Sequence, residues 1–167
     1  MAFKLDIKVT SKGQIAKGTA PGKFLRAIAD ALNEGGLYIE QEVAKGTPVN
    51  RGHLRGSISH SVKGAGTSWA YGRVFSPLEY AKPVEEGQTP HWPPLNPIVR
   101  WAKRKLKLKK KQRYIVATKI ALKIFQVGTL PVHMFKKVAK ASKTARVLRR
   151  IFEKHTKKFV SKMKPKS

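Results

Sequence analysis

Of the 36 lysines and arginines in this 167-residue chain, 24 lie after residue 86, against a single acid, Glu153. Residues 87–167 therefore carry +23, whereas residues 1–86, with 12 basic and 8 acidic residues, carry only +4. A half charged in this way cannot close a core on every side, because each lysine keeps its ammonium in water. It can fold as amphipathic helices, each with one apolar stripe and a wet basic face. It also needs a polyanion or an acidic protein nearby. The plainer alternative is a solvated basic surface that only aids solubility.

The rest of the composition sets bounds. Hydrophobic residues make up 41%, too many for wholesale disorder. The length predicts one domain with a modest core. No apolar run approaches the ~18 residues that span a bilayer. The opening "MAFKLDIKVTSKGQ" is not expected to be a signal peptide, since Lys4, Asp6 and Lys8 interrupt it. With no cysteine, disulfides, cysteine-ligated zinc and thiol catalysis are excluded, and a reducing cytoplasm is permitted.

Periodicity organises the chain. Phe3, Leu5, Ile7 and Val9 alternate with Lys4, Asp6 and Lys8, which predicts a half-buried strand. A Gly/Lys loop follows to Gly22. A helix is expected from about Lys23 to Lys45, with the stripe Leu25, Ile28, Leu32, Ile39 and Val43. Gly35 and Gly36 mark a kink or a close packing point. Asp30, Glu34, Glu40 and Glu42 are assigned to its wet face. Gly46 is expected to end the helix as a C′ glycine, and Pro48 disfavours its resumption.

"NRGHLRG" reads as a turn or one short helical turn. "SISHSVK" (57–63) and "WAYGRVFS" (69–76) read as a hairpin around "GAGTS". Trp69, Tyr71 and Phe75 share one strand face, which predicts core or interface rather than base stacking. A helical turn is expected around Tyr80. Asn96 as N-cap with Pro97 at N1 predicts a helix to about Leu106, with Ile98, Trp101, Ala102 and Leu106 as its apolar face. After the basic run 103–113, a helix is expected from about Arg113 to Val127, with Tyr114, Ala117, Ile120, Ala121 and Ile124 in its stripe. One last helix over about 133–162 carries Phe135, Val138, Ala145, Leu148, Phe152 and Phe159, the small pair Ala141 and Ser142 filling the gap. "KMKPKS" is a frayed tail.

Chemistry finds little purchase. "GTAPGKF" (18–24) is one residue short of a P-loop and has Phe24 where Ser or Thr would hold magnesium. His53, His60, His91, His133 and His155 form no close helical pair, so no metal site is expected. Glu85 and Glu86 are adjacent and point apart. No carboxylate cluster suits a nuclease. No enzyme and no cofactor are expected.

Three blocks occur in order: "TPVNRGHLRGSI" (47–58), "YAKPVEEGQTPHWPPLNPIVRWAKRK" (80–105) and "IALKIFQVGTLPVHMFKKVAKA" (120–141). The series resembles the head–tail joining, or neck and tail-completion, family of tailed bacteriophages, a group that includes the minor tail protein Z type of lambda-like phages. The resemblance covers roughly residues 23–141. Asn50 and Arg51 stand where that family often has Asp and Thr, and Pro131 and Phe135 are one residue further apart.

The resemblance implies an α+β single domain over 1–167: an N-terminal strand and loop (1–22), a family-like core with an N-terminal helix, a short antiparallel β-sheet and C-terminal helices (23–141), and a basic helix and tail (142–167). It implies a structural virion protein of the head–tail junction, assembled in the host cytoplasm as a homo-oligomeric ring, six- or twelve-fold. The expected partners are head connector or stopper proteins and tail terminator or tail tube proteins. Non-specific contact with phage DNA is also expected, and no membrane. Pro48, Arg51, Gly52, Leu54, Arg55, Glu85, Gly87 and Trp101 are the expected assembly residues. Lys103, Arg104, Lys105, Lys109, Lys110, Lys111 and Arg113 are the expected contacts to a polyanion or acidic partner. The rival reading is a non-enzymatic nucleic-acid-binding protein, ribosome- or nucleoid-associated, which would carry its charge on one continuous face.

Overall fold

The computed structural model describes residues 4–8, 22–67 and 69–163. Phe3, Val9, the Gly/Lys loop up to residue 21 and the end of the basic tail lie outside them. The fold is α+β, and it divides into two units. One draws on residues 1–78 and 134–167, the other is Glu79–His133.

In the first unit, strands β1 (Lys4–Lys8), β2 (Ser59–Lys63) and β3 (Tyr71–Phe75) make an antiparallel sheet in the order β1-β3-β2. Lys4 lies opposite Phe75 and Lys8 opposite Tyr71; on the other side of β3, Ser59 and Lys63 take those same partners. The β2–β3 hairpin is closed by Gly64 and Gly66, both at positive φ, with the Thr67 hydroxyl donating to the Gly64 carbonyl at 2.7 Å.

Helix α1 (Gly22–Gly46) crosses one face of this sheet. Its apolar residues recur on more than one side, and Leu32, Ile39 and Val43 are fully enclosed. Each such side chain contributes roughly 1.5–3 kcal/mol. The width of the buried arc follows from three neighbours: the sheet, helix α7 (Ser142–Met163) and helix α6 (Met134–Lys140). Gly35 and Gly36 are close packing points and the helix runs through them unbroken. A Cβ at Gly35 would stand 2.9 Å from Leu148 of α7, and one at Gly36 2.9 Å from the His60 ring of β2. Phe24, Leu25, Ile28, Leu32 and Ala70 form one core cluster, with Val62, Phe152 and Phe159 packed on it.

Of the two readings of the face that carries Trp69, Tyr71 and Phe75, core or interface, the core is excluded. Ala70, Gly72, Val74 and Ser76 are buried, and the aromatic positions lie on the other side, with Trp69 62% exposed. A helix that lies close on a sheet needs small residues beneath it, so the bulky set is turned outward. Gly46 does not take positive φ. The end of α1 is closed instead by Thr47, whose buried hydroxyl donates to the Val43 carbonyl at 2.7 Å.

The last segment is two helices, α6 (Met134–Lys140) and α7, broken at Ala141. At about 100° per residue, Phe135 and Leu148 would stand about 140° apart on one straight helix. The break lets Met134 and Phe135 of α6 and Leu148 and Ile151 of α7 all turn inward. Thr144 and Ile151 are buried, and Ala145 is exposed.

Two of the acids assigned to the wet face of α1 are tied to its neighbours. Glu40 accepts from His60 Nδ1 at 2.6 Å, while Glu34 accepts from His155 Nε2 at 2.7 Å and from Lys154 at 3.0 Å. The His155 hydrogen bond, with that from Lys154, holds the Glu34 carboxyl below its ordinary pKa. A depressed folded pKa stabilises above the unfolded value and loses that contribution as pH falls through the folded one. Glu34→Gln is therefore expected to lower stability near neutral pH and to change little at acid pH. Urea unfolding of both proteins at pH 7 and pH 3 checks this.

The second unit holds α3 (Ala81–Glu86), α4 (Leu95–Leu106) and α5 (Lys110–Val127). α4 begins ahead of the expected Asn96 cap, at Leu95, with Pro94 as N-cap and no side-chain cap. Pro97 is then the third helical residue, still within the turn whose N–H groups have no intrahelical partner. α5 starts three residues before the expected Arg113. The Gln112 amide oxygen accepts the Lys109 N–H at 3.2 Å, so polar capping extends the helix into the basic run. α4 and α5 pack through alanines: Ala102, Ala117 and Ala121 are fully buried.

Candidate assembly surfaces

The first block alternates anchors with exposed residues. Thr47, Leu54 and Ile58 are buried. Thr47 also reaches Met134 Sδ at 3.3 Å. Ser57 Oγ donates to the Leu54 carbonyl at 2.8 Å and lies 2.8 Å from Ser76 Oγ. With its one proton spent on Leu54, Ser57 accepts from Ser76. These bonds hold a short helix, α2 (His53–Gly56), entered through Gly52 at φ 84. Pro48, Val49, Arg51 and Arg55 project outward, and Leu54 does not. Among the expected assembly residues of this block, Leu54 therefore acts through the fold. Arg51, Gly52, His53, Gly56, Ser57 and Leu78 line a hollow of about 480 Å³.

The second and third blocks meet in space. Gln88 and Thr129 form an isolated antiparallel bridge, with Gln88 N–H to Thr129 O at 3.2 Å and Thr129 N–H to Gln88 O at 2.9 Å. The Val132 N–H donates to Val84 O at 3.0 Å and the His133 N–H to Glu85 O at 3.1 Å. Gly87 and Gly128 flank this junction at φ 77, ψ 179 and φ 74, ψ −156. Only glycine occupies that backbone region readily. A Cβ on Gly87 would also press on the Thr129 carbonyl, and one on Gly128 on the Gln88 carbonyl. Glu85 is 1% exposed, so it belongs to the interior. Trp101 is half-buried, and its neighbour Ala102 takes the innermost place.

The charged and apolar surfaces of the second unit lie on the same helices. Lys103, Arg104, Lys105, Lys109, Lys110 and Lys111 are exposed. Arg113 is half-buried and turns back to donate to the Leu108 carbonyl. Tyr114, Ile115, Leu122 and Phe125 are each about half exposed and fall along one side of α5. Trp92 stands edge-on to Phe125 at 5.9 Å and is itself exposed. Sequence reasoning missed this face, because the alanine-bearing stripe accounts for the same helix. It also missed a basic stripe on α7, where exposed Lys143, Arg146, Arg150 and Lys157 recur three, four and seven apart. That spacing was readable in the sequence. On the outer sheet face Trp69 lies 6.4 Å from Tyr71, and the Arg73 guanidinium stands 5.7 Å over the Tyr71 ring.

No group of three or more metal-ligating side chains occurs among the described residues, and no helix among them is long and apolar enough to cross a membrane. The features that stand out are exposed apolar faces, basic stripes and an open hollow lined in part by Gly52 and Gly56. Residues 14–87 match the family model described as "Bacteriophage HK97-gp10, putative tail-component". The likeness is to a protein described as a phage tail component, and the model that matches is not that of the Z type. The match takes in α1, the first block, the hairpin and α3, and stops at Gly87, so the third block lies beyond it. No curated protein and no solved structure matches the chain.

Proposed function

We propose that this protein is a structural component of the head–tail junction, assembling as a ring that joins the DNA-filled head connector to the tail and lets DNA pass. The match of residues 14–87 to a phage tail-component family carries this reading. The exposed apolar side of α5 supports it, since assembly is what removes such a face from water. Identical subunits of net +27 repel one another, so the charge must be met within the particle by DNA or by acidic neighbours. Pro48, Arg51 and Arg55 contact neighbouring virion proteins in this account, and the exposed lysines of α4 and α5 meet the polyanion. Immunogold labelling of intact particles tests the placement: label confined to the neck supports it, and label on the capsid shell or tail tip contradicts it. The double variant Ile115→Glu, Leu122→Glu, which leaves the Trp92–Phe125 pair in place, is expected to keep its melting temperature within about 2 °C, as exposed substitutions do. It should fail to restore plaques to a phage lacking the gene.

The +23 of residues 87–167 favours the second reading, a non-enzymatic nucleic-acid binder. Its mark would be tight binding of free duplex DNA by the monomer, falling steeply with salt. The head–tail reading expects only loose, sequence-indifferent binding to DNA.

A further inference from the structure

The hollow beside α2 has two properties that the fold does not require. Gly56 lies in a helical turn without positive φ, and a Cβ built on it meets nothing within 4 Å. Neither backbone nor packing asks for glycine there, and glycine in a helix costs stability relative to alanine. The surface over Gly56 is open, as it is over Gly52 beside it, where the φ of 84 itself calls for glycine. The second property is charge without an answer. Glu34, Glu40 and Glu42 are each engaged, by His155 with Lys154, by His60 and by Lys45. Arg51 and His53 are exposed on the rim of the hollow, Arg55 is exposed on the same short helix, and no carboxylate pairs with any of the three among the described residues.

We propose that this hollow is a docking socket for a carboxylate-bearing segment of a neighbouring virion protein. Arg51 takes the carboxylate as a charge-assisted pair, with His53 beside it. The incoming backbone lies over Gly52 and Gly56, where no side chain stands in its way. An apolar neighbour of the acid rests on Leu78. An acidic peptide fits this site better than a DNA phosphate does. The Ser57 hydroxyl is already spent inside the fold, Leu78 offers contact that a phosphate cannot use, and a duplex finds longer basic stripes on α4, α5 and α7. The partner's identity as a virion protein rests on the head–tail reading; the socket itself is testable on the purified chain.

The test is an NMR titration of the full-length protein, following the amides of Gly52, His53 and Gly56. Three probes are used: acetyl-Gly-Asp-Leu-Asp-Gly-amide, the same peptide with Asn for Asp, and inorganic phosphate. Saturable shifts with the Asp peptide, at least tenfold weaker with the Asn peptide and with phosphate, are expected. Arg51→Ala and Gly56→Val should each weaken the response at least tenfold. Gly56→Ala should weaken it while the melting temperature holds or rises, a pairing that a purely structural glycine would not give. An equal response to phosphate would reduce the site to a general anion contact and overturn the proposal. So would a Gly56→Val protein that binds as the parent does, or the lack of any saturable shift. Each of these failures leaves the head–tail reading standing, and loss of that reading leaves the peptide titration as it was.

Discussion

Gly128→Ala is expected to destabilise the protein by about 3–4 kcal/mol. The backbone there lies at φ 74, ψ −156. Holding a residue with a Cβ in that region costs about 1–3 kcal/mol. The added carbon also lodges against the Gln88 carbonyl, which accepts the Thr129 N–H. Weakening the two bonds of the bridge adds about 0.5–1.5 kcal/mol each. For a chain of this size the melting temperature should fall by about 10 °C. Gly46→Ala is the control: that position has no positive φ, and nothing lies within 4 Å of an added Cβ. It should be neutral or stabilising by up to about 1 kcal/mol. Urea unfolding of the two variants beside the parent decides the matter. Equal stability of all three would mean that the Gln88–Thr129 junction contributes little to the fold.

Phe135→Ala should cost about 3–5 kcal/mol, the range for removing a large buried aromatic. The side chain is 1% exposed, on α6 beside Met134, which is equally enclosed. It stands in the same sequence block as Gly128 but in the other unit. Val138→Ala on the same short helix is only half-buried and should lose less than half as much. Thermal unfolding followed by circular dichroism separates them. Similar losses would place the weight of α6 elsewhere than on Phe135.

Much of this architecture is legible in the sequence. The 3.6-residue stripe of α1 and the turn glycines of the hairpin are strong local signals, and both elements stand where those signals put them. The misses share a cause, which is tertiary packing that local pattern does not record. The hairpin's alternation is real, yet alternation does not say which face a helix will cover. Ala70, Gly72 and Val74 went inward because α1 lies close. Phe135 and Leu148 looked like one stripe because a gap of small residues hid the change of phase at Ala141. The caps at Asn96 and Gly46 were plausible residues in the wrong geometry.

The candidate surfaces were legible in part. The three blocks could be quoted from the sequence, but a bridge made of backbone groups at Gln88 and Thr129 leaves no side-chain signature. The hollow over Gly52 and Gly56 is defined by atoms that are absent, which composition cannot register. The acids of α1 gave no sign of their partners, because His60 lies 20 residues and His155 more than 100 residues away along the chain. Arg113 could not be told from its neighbours in the basic run until its guanidinium was seen turned onto Leu108.

The most direct measurement is electron microscopy of particles from a phage with a stop codon early in this gene, grown on a non-suppressing host. The head–tail account predicts DNA-filled heads and finished tails lying apart, rejoined when the protein is supplied from a plasmid. Normal joined and infectious particles would contradict it, and would leave the basic half of the chain to be explained by nucleic-acid binding.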